Sequence, residues 1–214
     1  MLVPRSKKQF RRQRSRTGLA IRQGMRSLNE TTQLIRDEHK KLRGLFRQLE
    51  VLRSRTPEMF YPVIAETCAE IQVYVELEER VFFLEVYKAL KAKTHLENPV
   101  TEFVHQALLD HAEIVRSINQ LNRMIRGGSK RTFSSELDEN IDDLVSLVEA
   151  YIQGEEKVFL PQIELHLPQV DAGLSLRWQE FGDDIRKRIH ATSPDNPMHA
   201  QNPNGGEQQR RIGL

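Results

Sequence analysis

Four long segments of this 214-residue chain repeat apolar residues every three or four positions, the spacing of one face of an α-helix. No segment alternates apolar and polar residues for long enough to predict a strand. The first helix is expected from about Thr31 to Arg53. Proline, glycine and serine signals mark the others: the second helix starts at Pro57, the third starts at Pro99 and ends at Gly127-Gly128, and the fourth starts at Ser134. Four helices with short connections predict an all-α, antiparallel four-helix bundle.

Each helix has one expected inward face, and a shorter amphipathic segment follows the fourth helix. The apolar faces are Ile35, Leu42, Phe46 and Leu49; Ile64, Cys68, Ile71, Val75, Phe82 and Val86; Val104, Leu108, Val115, Ile118 and Ile125; and Leu137, Ile141, Leu144, Val148 and Val158. A short C-terminal fifth helix, residues 169–190, should pack across one end of the bundle through Trp178 and Phe181. The expected division is therefore a basic disordered arm (1–27), the bundle (28–168), this helix, and a disordered tail (191–214).

Charge is distributed unevenly along the chain. Residues 1–27 contain nine basic side chains and no acid, which leaves the other 23 basic residues beside all 30 acidic ones. Such an arm could bind nucleic acid or an anionic membrane surface, could be a targeting segment, or could be a solvated tail. Cys68 is the single cysteine and no apolar run reaches the roughly 18 residues of a membrane span, so we expect no membrane span and a cytoplasmic location.

A weak internal repeat divides the bundle into two similar halves. Glu78-Glu79-Arg80-Val81-Phe82 is matched 77 positions later by Glu155-Glu156-Lys157-Val158-Phe159. On the helix that precedes each of these segments, Glu38-His39 is echoed by Asp110-His111. Two helical hairpins related by a pseudo-twofold axis would bring the matched positions together near the centre of the bundle.

Polar side chains interrupt all four inward faces. The interrupting residues are His39, Tyr74, Glu78, His111, Tyr151 and Glu155, with each Tyr four residues before its Glu and therefore on the same face. Burying carboxylates without a cation is costly, so two inward Glu beside two inward His favour a metal site. The alternatives are buried ion pairs between Glu and His, or packing in which each polar group is satisfied by hydrogen bonds.

These segments resemble the hemerythrin-like family, the HHE cation-binding domains, over about residues 31–166. The matching pieces are Asp37-Glu38-His39, the Glu78–Phe82 segment, Asp110-His111 and the Glu155–Phe159 segment followed by Leu160-Pro161. The resemblance implies a four-helix bundle that holds a non-haem di-iron centre. It also implies that Glu78 and Glu155 bridge two irons while His39 and His111 are terminal ligands.

The chain departs from the family pattern in both halves. Tyr74 and Tyr151 stand where the family has His, and position 115 is Val where oxygen-carrying members have a further His. Phenolate is a hard anionic donor that favours ferric iron. Two ferric ions with a bridging oxide carry about +4, and two glutamates with two tyrosinates supply about −4, which favours burial. We therefore expect two iron ions, oxo- or hydroxo-bridged, with tyrosinate ligands.

The tyrosines also affect the expected function. Two phenolates should lower the reduction potential, which disfavours the diferrous state that reversible oxygen carriage needs. The sequence therefore favours handling or sensing of a small oxidant such as peroxide, oxygen or nitric oxide, and it does not decide whether the protein is an enzyme. The competing interpretation is an interaction module, with or without metal, whose arm binds nucleic acid or a partner.

Overall fold

The computed structural model describes residues 7–53, 55, 57–91, 99–127, 134–166 and 174–192, and among these it describes the side chains of residues 30–53, 55, 59–91, 100–126, 134–165 and 174–189. Within these residues the chain forms five helices and no strand. They are α1 (Lys7–Leu52), α2 (Pro57–Leu77, Glu78–Phe82 and Phe83–Lys91), α3 (Pro99–Gly127), α4 (Ser135–Gly154, Glu155–Phe159 and Leu160–His166) and α5 (Leu174–Thr192). The predicted all-α bundle with a fifth helix is confirmed.

The first four helices form the bundle. α1 packs against α2 and α4, and α3 packs against α2 and α4, so the four helices close into a ring around one core. Short connections alternate their directions, which gives the antiparallel arrangement. The expected starts at Pro57 and after Ser134 are observed, and the Ser134 hydroxyl accepts a hydrogen bond of 3.1 Å from the amide of Leu137 as an N-cap.

α1 begins at Lys7 rather than near Thr31, so its backbone continues through most of the expected arm. The sequence contains no proline between Pro4 and Pro57, and nothing in this stretch therefore breaks an α-helix. The domain limits at residues 27, 168 and 190 stay predictions. The predicted tail, apart from residues 191–192, and the side chains of the arm lie outside the described residues.

Two residues of the expected apolar faces are exposed. Leu108 is 37% exposed and Val158 is 54% exposed, whereas Val81, which matches Val158 in the repeat, is 7% exposed. α5 accounts for this difference, because its Phe181 lines the same cleft as Val81 and the second half has no such cover among the described residues.

α5 lies along α1 and α2 instead of crossing one end of the bundle. Its ion pairs join Arg177 to Glu85 near the end of α2 and Arg186 to Glu70 nearer the start, so the two helices run in opposite directions. Trp178, at 2% exposed, and the buried Leu174 and Ile185 are its apolar anchors. Arg186 also pairs with Glu38 of α1 at 2.8 Å, which ties α5 to both helices of the first hairpin.

Candidate metal centre

The six side chains predicted as ligands meet in the centre of the bundle. α1 and α3 each contribute one histidine, and α2 and α4 each contribute a tyrosine and a glutamate. All six are between 0% and 5% exposed: His39, Tyr74, Glu78, His111, Tyr151 and Glu155. The inward positions read from the sequence are therefore the observed ones, while the role of these residues as ligands stays a prediction.

In one half of the site, a histidine, a tyrosine and a glutamate meet from three helices. His39 Nε2 lies 2.8 Å from the Tyr74 hydroxyl oxygen and 3.0 Å from Glu155 Oε2. The Tyr74 hydroxyl donates a hydrogen bond to the same Oε2 atom of Glu155. One carboxylate oxygen thus joins α4 to α1 and α2.

The other half of the site repeats this arrangement, with its histidine and tyrosine from the second hairpin and its glutamate from the first. His111 Nε2 lies 3.1 Å from Glu78 Oε2, and the Tyr151 hydroxyl donates to that oxygen at 2.6 Å. The rings of His111 and Tyr151 are 4.9 Å apart, beside 5.4 Å for His39 and Tyr74. Each hydrogen bond between a glutamate and a histidine or tyrosine in the first half has its counterpart here, so the pseudo-twofold axis passes through the site.

A second carboxylate reaches the outer nitrogen of each histidine. Glu156 Oε1 lies 2.9 Å from His39 Nδ1, and Glu79 Oε1 lies 3.1 Å from His111 Nδ1. A partner on the outer nitrogen fixes the orientation of an imidazole and leaves its other nitrogen for a ligand role. Glu79 and Glu156 are thus oriented toward the histidines.

α2 and α4 are not regular α-helices at these residues. A π turn spans Glu78–Phe82 in α2, and another spans Glu155–Phe159 in α4. In each turn an amide donates to the carbonyl five residues earlier, as from Phe83 to Glu78. The wider turn lets two consecutive glutamates face the same histidine, whereas a 3.6-residue period separates them by about 100°. Both turns lie on the repeated Glu-Glu-basic-Val-Phe segments, and that repeated segment is the sequence signal that could have marked them.

The two central carboxyl groups are the main electrostatic feature of the site. Glu78 and Glu155 are close enough to shift each other's pKa, and each has one buried oxygen, Oε1, without any hydrogen-bond partner. Buried polar atoms without a partner are uncommon and costly. Two unpaired carboxylate oxygens beside histidine and tyrosine donors fit a bound cation, since oxygen and imidazole nitrogen are the donors that iron accepts.

The pKa values of these groups follow from burial and from the neighbouring carboxyl. Burial raises the pKa of Glu155 well above its usual range, and the charge of Glu78 raises it further. Burial also raises the pKa of Glu78, but hydrogen bonds with His111 and Tyr151 outweigh burial and lower it. Of the two carboxyls, Glu155 therefore holds a proton more readily when no cation lies beside it.

The histidines and tyrosines respond to the same environment. Burial lowers the pKa of His39. It acts in the same direction on His111, but hydrogen bonds with Glu78 and Glu79 outweigh it and raise the pKa of His111 to about 9. Burial and the two glutamates raise the pKa of Tyr74 and Tyr151 well above the usual value. Both phenols thus stay neutral unless a cation displaces their protons.

An aromatic layer closes one side of the site. The Phe83 ring stacks on His111 with centroids 5.6 Å apart, and Phe159 contacts both Phe82 and Phe83. All three phenylalanines are at most 1% exposed. Cys68, which the sequence assigned to apolar packing, is also buried at 2% exposed.

Among the described residues, no group of three or more His, Cys, Asp or Glu side chains has the arrangement of a metal site. In each half a tyrosine, a residue type outside those four, donates a hydrogen bond to the central glutamate beside the histidine. The described residues also contain no helix that could span a membrane.

A family model described as "Hemerythrin HHE cation binding domain" matches residues 30–163 of the chain. The matched region includes all six inward polar residues and excludes α5. No curated protein and no solved structure gives a significant match. The chain belongs to the hemerythrin HHE cation-binding domain family, which confirms the resemblance seen in the sequence.

Proposed function

We propose that this member of the hemerythrin HHE cation-binding family binds two iron ions through His39, Tyr74, Glu78, His111, Tyr151 and Glu155, and uses them to handle or sense a small oxidant. The observation that carries the proposal is the central carboxyl pair, with its two buried and unpaired oxygens. The duplicated contacts support two ions instead of one, because each half presents the same three donor types.

Each residue has a defined task in this proposal. The two glutamates lie between the halves and can serve both ions, while each histidine faces one. Tyr74 and Tyr151 supply the negative charge that neutral histidines would lack, which favours the ferric state. Iron held in this way supplies one-electron redox chemistry toward peroxide, oxygen or nitric oxide.

Burial limits what can reach the site. The six side chains are at most 5% exposed, and the Phe83 side is closed by apolar rings. A bulky organic substrate would therefore need the helices to separate, whereas a diatomic gas or peroxide needs only a narrow path. This favours small oxidants over larger substrates, and the tyrosinate donors favour these reactions over reversible oxygen carriage.

The test is metal analysis and a visible absorption spectrum of the full chain after anaerobic loading with ferrous iron and oxidation. We expect about two irons per chain and a tyrosinate-to-iron charge-transfer band. The chain has four tyrosines, so Tyr74→Phe and Tyr151→Phe have matched controls in Tyr61→Phe and Tyr87→Phe. The site variants should weaken the band and the controls should not. A loaded protein whose band is unchanged in both site variants has no tyrosinate ligand at Tyr74 or Tyr151.

Activity is tested separately with peroxide. Glu78→Ala should remove both the bound iron and any peroxide turnover, because this residue lies between the two halves. Turnover that persists after the iron is lost would overturn the redox proposal.

A second candidate is a polar core that holds no metal. It is favoured by the hydrogen bonds themselves, since both tyrosine hydroxyls donate to a glutamate and all four histidine nitrogens have partners. In that case the purified protein contains no iron even after loading, and a chelator leaves its melting temperature unchanged. A melting temperature that rises with iron and falls with the chelator excludes it.

A further inference from the structure

The two halves of the site differ in how their outer carboxylates are held. On the His39 side, Arg43 Nη1 donates to both oxygens of Glu156, at 2.9 and 3.1 Å. The same guanidinium donates to Glu149 through Nε and Nη2, at distances from 2.9 to 3.1 Å. Arg43 is therefore fixed by two carboxylates of α4, and it fixes the one that contacts His39.

The His111 side has no equivalent of this arrangement. In the repeat, Val115 is the counterpart of Arg43, and Gln72 is the counterpart of Glu149. Glu79 contacts His111 at 3.1 Å, and its side chain is 39% exposed, beside 30% for Glu156. No basic side chain among the described residues other than this histidine pairs with Glu79.

This difference has a consequence for metal binding. The partner on the outer nitrogen of a ligand histidine sets the ring orientation and the basicity of the ligand nitrogen. A carboxylate held by a planar guanidinium loses little further freedom when the ring is fixed, whereas a carboxylate without such a partner must be ordered. The two sides do not differ in net charge, because the group of Arg43, Glu149 and Glu156 carries one negative charge and Glu79 alone also carries one.

We propose that Arg43 is a positioning residue that acts through Glu156 on His39, and that it makes the two metal positions unequal, with the ion beside His39 bound more tightly. This inference rests on the proposed function. It goes beyond it by distinguishing two positions that the six central residues present as equivalent.

The chain offers a matched control for the role of Arg43. Arg36 lies two helical turns earlier on α1 and also pairs with α4, through Glu164 at 2.9 Å. The exposed fractions of the two arginines are similar, 32% for Arg36 and 28% for Arg43. Arg36 contacts neither histidine nor an outer carboxylate. Any effect that comes only from tying α1 to α4 should therefore appear in both variants.

The experiment is an anaerobic titration of the full chain with ferrous iron against a competing chromophoric chelator. We expect two binding steps in the unmodified protein. Arg43→Met should weaken the tighter step by about 10- to 100-fold and leave the other step within about threefold. Arg36→Met should change neither step, and the melting temperatures of the metal-free variants give the structural cost of each pair.

A gain-of-function variant tests the same reasoning in the other half. Val115→Arg combined with Gln72→Glu builds the counterpart of Arg43 and Glu149 beside Glu79. It should strengthen the weaker step and bring the two steps closer together. A graft that folds but leaves both steps unchanged contradicts the proposal. If the graft does not fold, the comparison of Arg43→Met with Arg36→Met decides alone.

The outcomes separate this inference from the proposed function. If the unmodified protein takes up no iron, the proposed function fails and the inference fails with it. If it binds two irons in one indistinguishable step, or if Arg43→Met weakens both steps equally, the function stands and the inference is wrong.

Discussion

The two central tyrosines give a prediction that does not need metal. Tyr→Phe keeps the ring and removes only the hydroxyl, so the cavity left is small and the change measures hydrogen bonding. The Tyr74 hydroxyl has two partners, His39 at 2.8 Å and Glu155. The Tyr151 hydroxyl has one, Glu78 at 2.6 Å. At about 1 kcal/mol per hydrogen bond, Tyr74→Phe should cost about 2 kcal/mol of unfolding free energy and Tyr151→Phe about 1 kcal/mol.

The assay is urea unfolding of the metal-free protein, followed by circular dichroism, with chelator present throughout. For a chain of this size each kcal/mol corresponds to about 2–4 °C in melting temperature, which gives a second measurement of the same quantity. Tyr61→Phe is the control for loss of a hydroxyl outside the site. The reasoning is refuted if Tyr74→Phe costs no more than Tyr151→Phe, or if both variants match the unmodified protein within about 0.3 kcal/mol.

Three further predictions concern the rest of the fold. Burial raises the pKa of the Cys68 thiol to about 12. The native protein should therefore not react with a thiol reagent at about pH 8, whereas the protein in denaturant should react fully. A rapid reaction of the native protein would contradict the burial of Cys68. Trp178→Ala removes the anchor of α5 and should lower the free energy of unfolding by about 3–5 kcal/mol. Trp178→Phe should lower it less, because the indole N–H is buried without a partner and its loss breaks no hydrogen bond. Urea unfolding measures both. Ser134→Ala removes the N-cap of α4 and should cost about 1 kcal/mol, and an unchanged urea midpoint would show that the cap contributes nothing.

Much of the fold could be predicted because apolar spacing and proline positions are local signals. They placed the starts of α2 to α4, the fifth helix, and the inward positions of all six polar residues. The π turns could not be predicted by the same method, since it assumes 3.6 residues per turn. That assumption placed Val158 inward, and it sets Glu79 and Glu156 about 100° away from the neighbouring Glu78 and Glu155. The packing of α5 along α2 also depends on contacts between distant residues, such as Arg186 with Glu70, which periodicity does not encode.

Arg43 shows a different limit of sequence reasoning. Its partners, Glu149 and Glu156, lie more than 100 positions away on α4. The repeat identifies residues that are alike in the two halves. Because the counterpart of Arg43 is Val115, the repeat does not identify Arg43. The asymmetry becomes visible only when the pseudo-twofold axis is placed in the structure and the unmatched neighbours are compared.

The contrast between the centre and its surroundings bears on why the centre is symmetric. Around the site the two halves have diverged: Arg43 stands opposite Val115, α5 packs on the first hairpin, and Val81 is buried while Val158 is exposed. Within the site, each contact between a glutamate and a histidine or tyrosine is duplicated in type. If these residues only filled space, apolar side chains of similar volume would avoid the cost of two facing carboxyls and would be free to diverge like their neighbours. An occupant with two equivalent charged centres would require the same donors on both sides, and this is the physical reason to test for two ions before any other ligand.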